Sequence, residues 1–159
     1  MPYLLSLVFS LSLLVPLAAQ SALPPAFETF LESLDRAQIQ LQNGEPTAFK
    51  KLWSQRDDVT LAGGFGGPVA KGWQQVSARL DAAGRQFSNG RHHASRVVAN
   101  VSGDVAYVVQ TEHIDYREPG QTTDATRDYR VTMIFRRETA GWRIVHRHAD
   151  TQVTNQMTR

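Results

Sequence analysis

Cysteine is absent from this 159-residue chain. Its absence excludes a disulfide framework, a thiolate nucleophile and a lipidated cysteine, and leaves the stability of the fold to packing. An excess of one charge is also missing: 17 Lys and Arg stand against 15 Asp and Glu, a formal net charge of +2. No basic run is interleaved with aromatic residues, so a nucleic-acid partner is not expected. The nucleophile-elbow pattern Gly-x-Ser-x-Gly does not occur. The glycine-rich stretch Gly63-Gly-Phe-Gly-Gly-Pro68 lacks the Gly-Lys-Ser/Thr ending of a phosphate loop. Nothing in the chain calls for a cofactor.

The first 23 residues carry no charged side chain. An apolar core, Leu4–Leu17, is followed by the small residues Ala18-Ala19-Gln20-Ser21-Ala22. This order reads as a secretory signal peptide over 1–22, although basic residues before the core are lacking. The core is shorter than the roughly 20 residues a membrane helix needs, so no stable span is expected after processing. An uncleaved N-terminal anchor is the alternative. The expected product is exported, periplasmic or secreted, with one domain over 24–154 and a flexible tail over 155–159.

Within that domain, Ala26–Gln42 has helical periodicity, with Phe27, Phe30, Leu31, Leu34, Ala37, Ile39 and Leu41 in one wide apolar stripe. Asn43-Gly44 ends it as a left-handed cap. Pro46 suits the first turn of a second short helix, to Trp53. Val59–Ala62 reads as a short strand, Gly63–Pro68 as a turn or lid, and Val69–Lys71 as the returning strand. A third helix runs from Gly72 to Phe87. Four β-rich segments follow, His92–Val101, Val105–Arg117, Arg127–Glu138 and Trp142–Gln152, separated by turn residues. Helices first and antiparallel strands after define an α+β fold.

The segments Asn43-Gly-Glu-Pro46, Asp58-Val-Thr-Leu61, the glycine-rich hairpin, Gly72-Trp73 and above all the tail Gly141-Trp-Arg-Ile-Val-His-Arg-His148 resemble the NTF2-like superfamily and, within it, SnoaL-like domains. The resemblance implies a cone-shaped roll: three N-terminal helices on a curved, mostly antiparallel sheet, an internal pocket, and often a homodimer through the sheet's outer face. The tail also resembles the association domain of calcium/calmodulin-dependent kinase. That likeness places the kinase domain's pocket arginines at Glu112, Thr132 and Ala149, none of which is arginine here, so its anion site does not carry over. It also implies that Gln110, Glu112, Ile114, Arg130, Thr132, Ile134, Arg147 and Ala149 face the pocket, with His146 and His148 outside. A single bulge in the last strand would reverse this.

Glu112 with Arg130 and Arg147 is the first catalytic candidate. A carboxylate in an apolar cone can abstract a proton or activate water, with burial raising its pKa and arginine lowering it. The structural alternative is an internal ion pair. Exposure of Glu112, or a bidentate lock on an arginine, counts against the base. His146, His148 and Asp150 form a second set, as a His–Asp dyad or as residues that merely satisfy hydrogen bonds. A metal there would need His92, His93 or His113 as third ligand, and i, i+2 histidines occur in strands by chance, so no metal is expected. Trp53, Phe65, Gln110, Tyr116 and Thr132 are candidate ligand contacts. The functions that fit are a pocket for a small apolar or weakly acidic molecule, with cofactor-free acid–base chemistry of lyase, isomerase or hydrolase type, or a non-catalytic binding or dimerisation module. Dimerisation predicts an apolar outer face containing Val131, Met133 and Phe135.

Overall fold

The structure, a computed structural model, describes residues 22–151. The leader over 1–21 and the tail beyond Thr151 lie outside the described residues. Helix α1 (Pro25–Leu41) begins on a proline, whose missing N–H is no loss in a first turn. It packs Phe27, Phe30, Leu31, Leu34, Ala37 and Leu41 inward. Two residues depart from the expected stripe: Ile39 faces solvent, and Gln38 takes a buried position. Gly44 has φ +86°, the left-handed cap foreseen after Asn43.

Helix α2 (Thr47–Lys51) leads to β1 (Thr60–Ala62), β2 (Ala70–Lys71) and α3 (Trp73–Gly84). Four long strands follow: β3 (Ser88–Ser102), β4 (Val105–Arg117), β5 (Ala125–Glu138) and β6 (Gly141–Asp150). The six form one sheet in the order β2-β1-β6-β5-β4-β3, antiparallel except for the β1–β6 pair. The helices and sheet enclose one core. Phe27 of α1 sets its ring edge-on to Phe135, 5.3 Å away, and to Trp142, 4.9 Å away. Full burial of such a ring contributes about 1.5–3 kcal/mol.

Strand β3 starts four residues earlier than its composition implies. Asn89 lies at φ 51°, and the register slips between Ser88 and Arg91. The next residue, Gly90, passes so close to α1 that a Cβ would stand 2.1 Å from the Gln42 carbonyl oxygen. Asn43 clasps it there, donating to the Gly90 carbonyl and accepting from its N–H, both at 3.0 Å. A second slip, between Arg96 and Val98, pushes Val97 outward to 71% exposure.

The slip that matters most for the interior is in β6. Phe135 pairs with Ile144 but Ile134 pairs with His146, so Val145 is an extra residue. Strict alternation would put Trp142 and Ile144 on the face opposite Arg147 and Ala149. The bulge lets all four face inward, and all four are buried. It sits where the neighbouring chain changes. Ile144 exchanges backbone hydrogen bonds with Leu52 and Ser54, and beyond Val145 the residues His146, Arg147 and His148 pair with β1.

Candidate functional site

Between the helices and the sheet lies a cavity of about 260 Å³. Leu41, Phe49, Leu61, Leu80, Phe87 and Ile114 supply its apolar wall. Gln38 of α1, Gln42 just after it, Gln86 after α3, Tyr129 of β5, Arg147 of β6 and Arg79 of α3 supply its polar groups. The glycine-rich hairpin roofs it. Gly64 lies flat on the Tyr129 ring, where a Cβ would come within 2.1 Å of Cε1. The Arg79 guanidinium donates to the carbonyls of Gly66 and Pro68, fastening the hairpin to α3. Phe65, 44% exposed, stacks on Phe87 at 5.7 Å, and the Arg127 guanidinium covers its ring at 4.1 Å.

Glu112 is 1% exposed and stands behind the cavity wall. Arg147 reaches across β5 to grip it with both terminal nitrogens, Nη1 to Oε1 at 2.9 Å and Nη2 to Oε2 at 2.8 Å. Gln110 Nε2 adds a bond to Oε1 at 2.7 Å and Gln38 Nε2 a long one at 3.5 Å. His92 Nε2 stands 3.4 Å from Oε2, at the outer limit of a hydrogen bond. Burial pushes the Glu112 carboxyl up. The Arg147 charge and the hydrogen bonds from His92 and Arg147 outweigh it and hold the group well below the usual carboxylate range. This is the bidentate lock that counts against a proton acceptor. A base tuned for neutral pH needs a pKa nearer 7.

The other expected site residues divide by face. Gln110 and Tyr116 point inward, Gln110 onto Glu112 and Tyr116 beside the cavity mouth, where its hydroxyl receives Arg127 Nε. Phe65 and Arg147 line the cavity. Trp53 is buried in the α2–β6 packing, apart from the cavity. Arg130, Thr132 and Ile134, expected to face the pocket, lie on the outer face. Glu112 pairs with Tyr129, so Tyr129, Val131, Met133 and Phe135 are the inward residues of β5. The expected apolar outer face of Val131, Met133 and Phe135 is therefore core. Arg130 instead binds Asp150, Nη2 to Oδ1 at 2.9 Å.

His146 and His148 are also outside. His146 Nδ1 contacts Thr60 Oγ1 at 2.7 Å. Burial and the neighbouring His148 lower the His146 pKa. Among the described residues no three histidine, aspartate or glutamate side chains gather as a metal site.

Sequence reasoning passed over Gln38, Gln42, Arg79 and Tyr129. Gln38 and Gln42 were visible as amides near an otherwise apolar helical stripe. Tyr129 follows from alternation in the middle of β5, where it shares a face with Val131, Met133 and Phe135. Burial pushes the Tyr129 hydroxyl above its ordinary pKa, against the pull of Arg127, so it stays a neutral donor.

Similar architectures occur among solved structures. An NTF2-like superfamily protein from Salmonella enterica matches with a TM-score of 0.68 at 17% identity, covering 82% of this chain and 96% of that one. A candidate dehydratase of the NTF2-like family from Streptomyces avermitilis matches with a TM-score of 0.68 at 20% identity, covering 81% and 95%. A candidate calcium/calmodulin-dependent protein kinase type II association domain from Thiobacillus denitrificans matches with a TM-score of 0.58 at 19% identity, covering 79% and 91%. Comparison with curated proteins finds no match. Residues 33–151 match the SnoaL-like domain, and the chain belongs to that family, with a fold shared with the NTF2-like structures above.

Proposed function

We propose that this domain binds a small apolar or weakly acidic organic molecule in the cavity beneath the glycine-rich hairpin, with Arg147 as its polar anchor. One observation carries the reading: an apolar cavity whose innermost cation, Arg147, is held in place by a buried carboxylate that does not itself line the wall. Pockets for small ligands have this composition, apolar walls with a few fixed polar groups. Glu112 is then a positioning residue for Arg147. The lock favours binding over proton abstraction by Glu112.

The test is native mass spectrometry of the protein purified from an exporting host. The expected result is a co-purifying organic ligand, released when Arg147 and Glu112 are replaced together by Met and Gln. A ligand recovered chemically altered would establish an enzyme, and a cavity that retains no organic molecule would count against the reading.

The domain is proposed to act outside the cytoplasm, after cleavage near residue 22. Supporting this are the uncharged leader and the lack of a need for reduced thiols. Mass measurement of the exported protein tests the cleavage. A homodimer through the outer sheet face is proposed as well. The cross-strand neighbours Tyr107 and Ile134, 41% and 36% exposed, offer it an apolar contact.

A further inference from the structure

The cavity wall has an unbalanced polar inventory. Its charged residues are Arg147 and Arg79, with no aspartate or glutamate among the described residues that line it. Arg147 spends one N–H of each terminal nitrogen on Glu112. A guanidinium has five N–H groups in one plane, so Nε and the outer edge remain as a second fork of the shape a carboxylate fills. Glu112 balances the formal charge of Arg147, so what the wall offers an anion is the free N–H edge of Arg147 rather than an unpaired charge.

An opposite need stands on the helical side of the cavity. Gln42 is a wall residue, 3% exposed, and its Oε1 is buried without a hydrogen-bond partner. A buried acceptor left unmet costs about 1–3 kcal/mol, and a ligand hydroxyl that draws the Gln42 amide round into the cavity would recover that. The rings of Phe49, Phe87 and Tyr129 line the same cavity. The volume, about 260 Å³, lies just below the usual range of drug-sized pockets, roughly 300–1,000 Å³. That limits the occupant to about one ring with short substituents.

We infer that the ligand is a compact hydroxylated aromatic acid, its carboxylate on the free edge of Arg147 and its hydroxyl donating to Gln42 Oε1. This inference rests on the proposed binding function and narrows it to a two-point chemistry.

Titration calorimetry of the purified protein tests it with 2-, 3- and 4-hydroxybenzoate, benzoate, the matching hydroxybenzamide and toluene. One hydroxybenzoate isomer is expected to bind about tenfold more tightly than benzoate, the scale of one buried neutral hydrogen bond. Its amide, which lacks the anionic charge, is expected to bind more weakly still. In Gln42→Met the advantage of the hydroxyl should vanish while benzoate affinity is kept. If no isomer exceeds benzoate in the unmodified protein, or if Gln42→Met keeps the advantage, the two-point inference is overturned. Binding of benzoate or toluene would in that case leave the cavity function standing. Absence of binding by every compound, toluene included, would overturn both. The ligand series decides the question without the variant, should Gln42→Met fold poorly.

Discussion

Glu112 shows how one buried charge links stability to pH. Its folded pKa is depressed: burial raises it, but the Arg147 charge and the bonds from His92 and Arg147 lower it further. A depressed acid contributes stability that is present above its unfolded pKa and lost as pH falls through the folded value. Stability in urea is therefore expected to hold at neutral pH and to decline once pH drops below the ordinary glutamate value of 4.5. Asp58, held down by its hydrogen bonds and charge pairing with Arg136, adds to the same acid limb, discounted for its exposure. Glu112→Gln should flatten that limb. It should also cost about 3–5 kcal/mol at pH 7, because Arg147 would remain as an uncompensated buried charge. Denaturant melts from pH 3 to 8 measure both effects, and an unchanged acid limb in Glu112→Gln would refute the assignment. Gly64 makes a steric counterpart. A methyl group there must displace the Tyr129 ring or lift the hairpin, so Gly64→Ala is expected to cost about 1–3 kcal/mol, the usual penalty of overpacking.

At the scale of elements, the hairpin and the β6 bulge carry opposite duties. The hairpin is tied down by Arg79 from α3 and by the contact of Phe65 with Arg127 and Phe87. Arg79→Ala should loosen it with little loss of global stability, seen as faster amide exchange over residues 63–67 and unchanged exchange in β4. The bulge tolerates no such change. Deleting Val145 would force either Trp142 and Ile144 or Arg147 and Ala149 out of the core, and the expected outcome is loss of near-ultraviolet circular dichroism.

Most of the helices and strands were legible in the chain, because apolar spacing and turn residues act locally. The cavity face of β5 was legible too. Tyr129, Val131, Met133 and Phe135 alternate with Asp128, Arg130 and Thr132, and simple alternation orients the strand correctly. Carrying positions across from the kinase association domain reversed it. The Glu112–Arg147 pair joins residues 35 apart in sequence across an intervening strand. Only the register of three strands brings them together. The bulge at Val145 leaves no local mark, since its cause is the change of partner beside it.

For the whole molecule, the outer sheet face is more polar than an apolar assembly surface would require. Arg130, Thr132, His113 and His148 cover much of it. The proposed dimer is therefore expected to depend on the small Tyr107–Ile134 contact. Light scattering should give twice the chain mass for the native protein and the single chain mass for Tyr107→Lys with Ile134→Lys. A native monomer would exclude this association.

Strand β3 closes one side of the sheet, and a long closing strand offers its unused backbone groups to any extended chain that meets it. The outward kink at Val97 changes that prospect. It breaks the fifteen-residue line into shorter runs. Arg96, paired with Asp35 of α1 at 2.7 Å, binds the strand to the helix layer beside the kink. A protein with no cysteines to cross-link it thus carries part of its guard against strand-to-strand aggregation in one surplus residue of its edge strand.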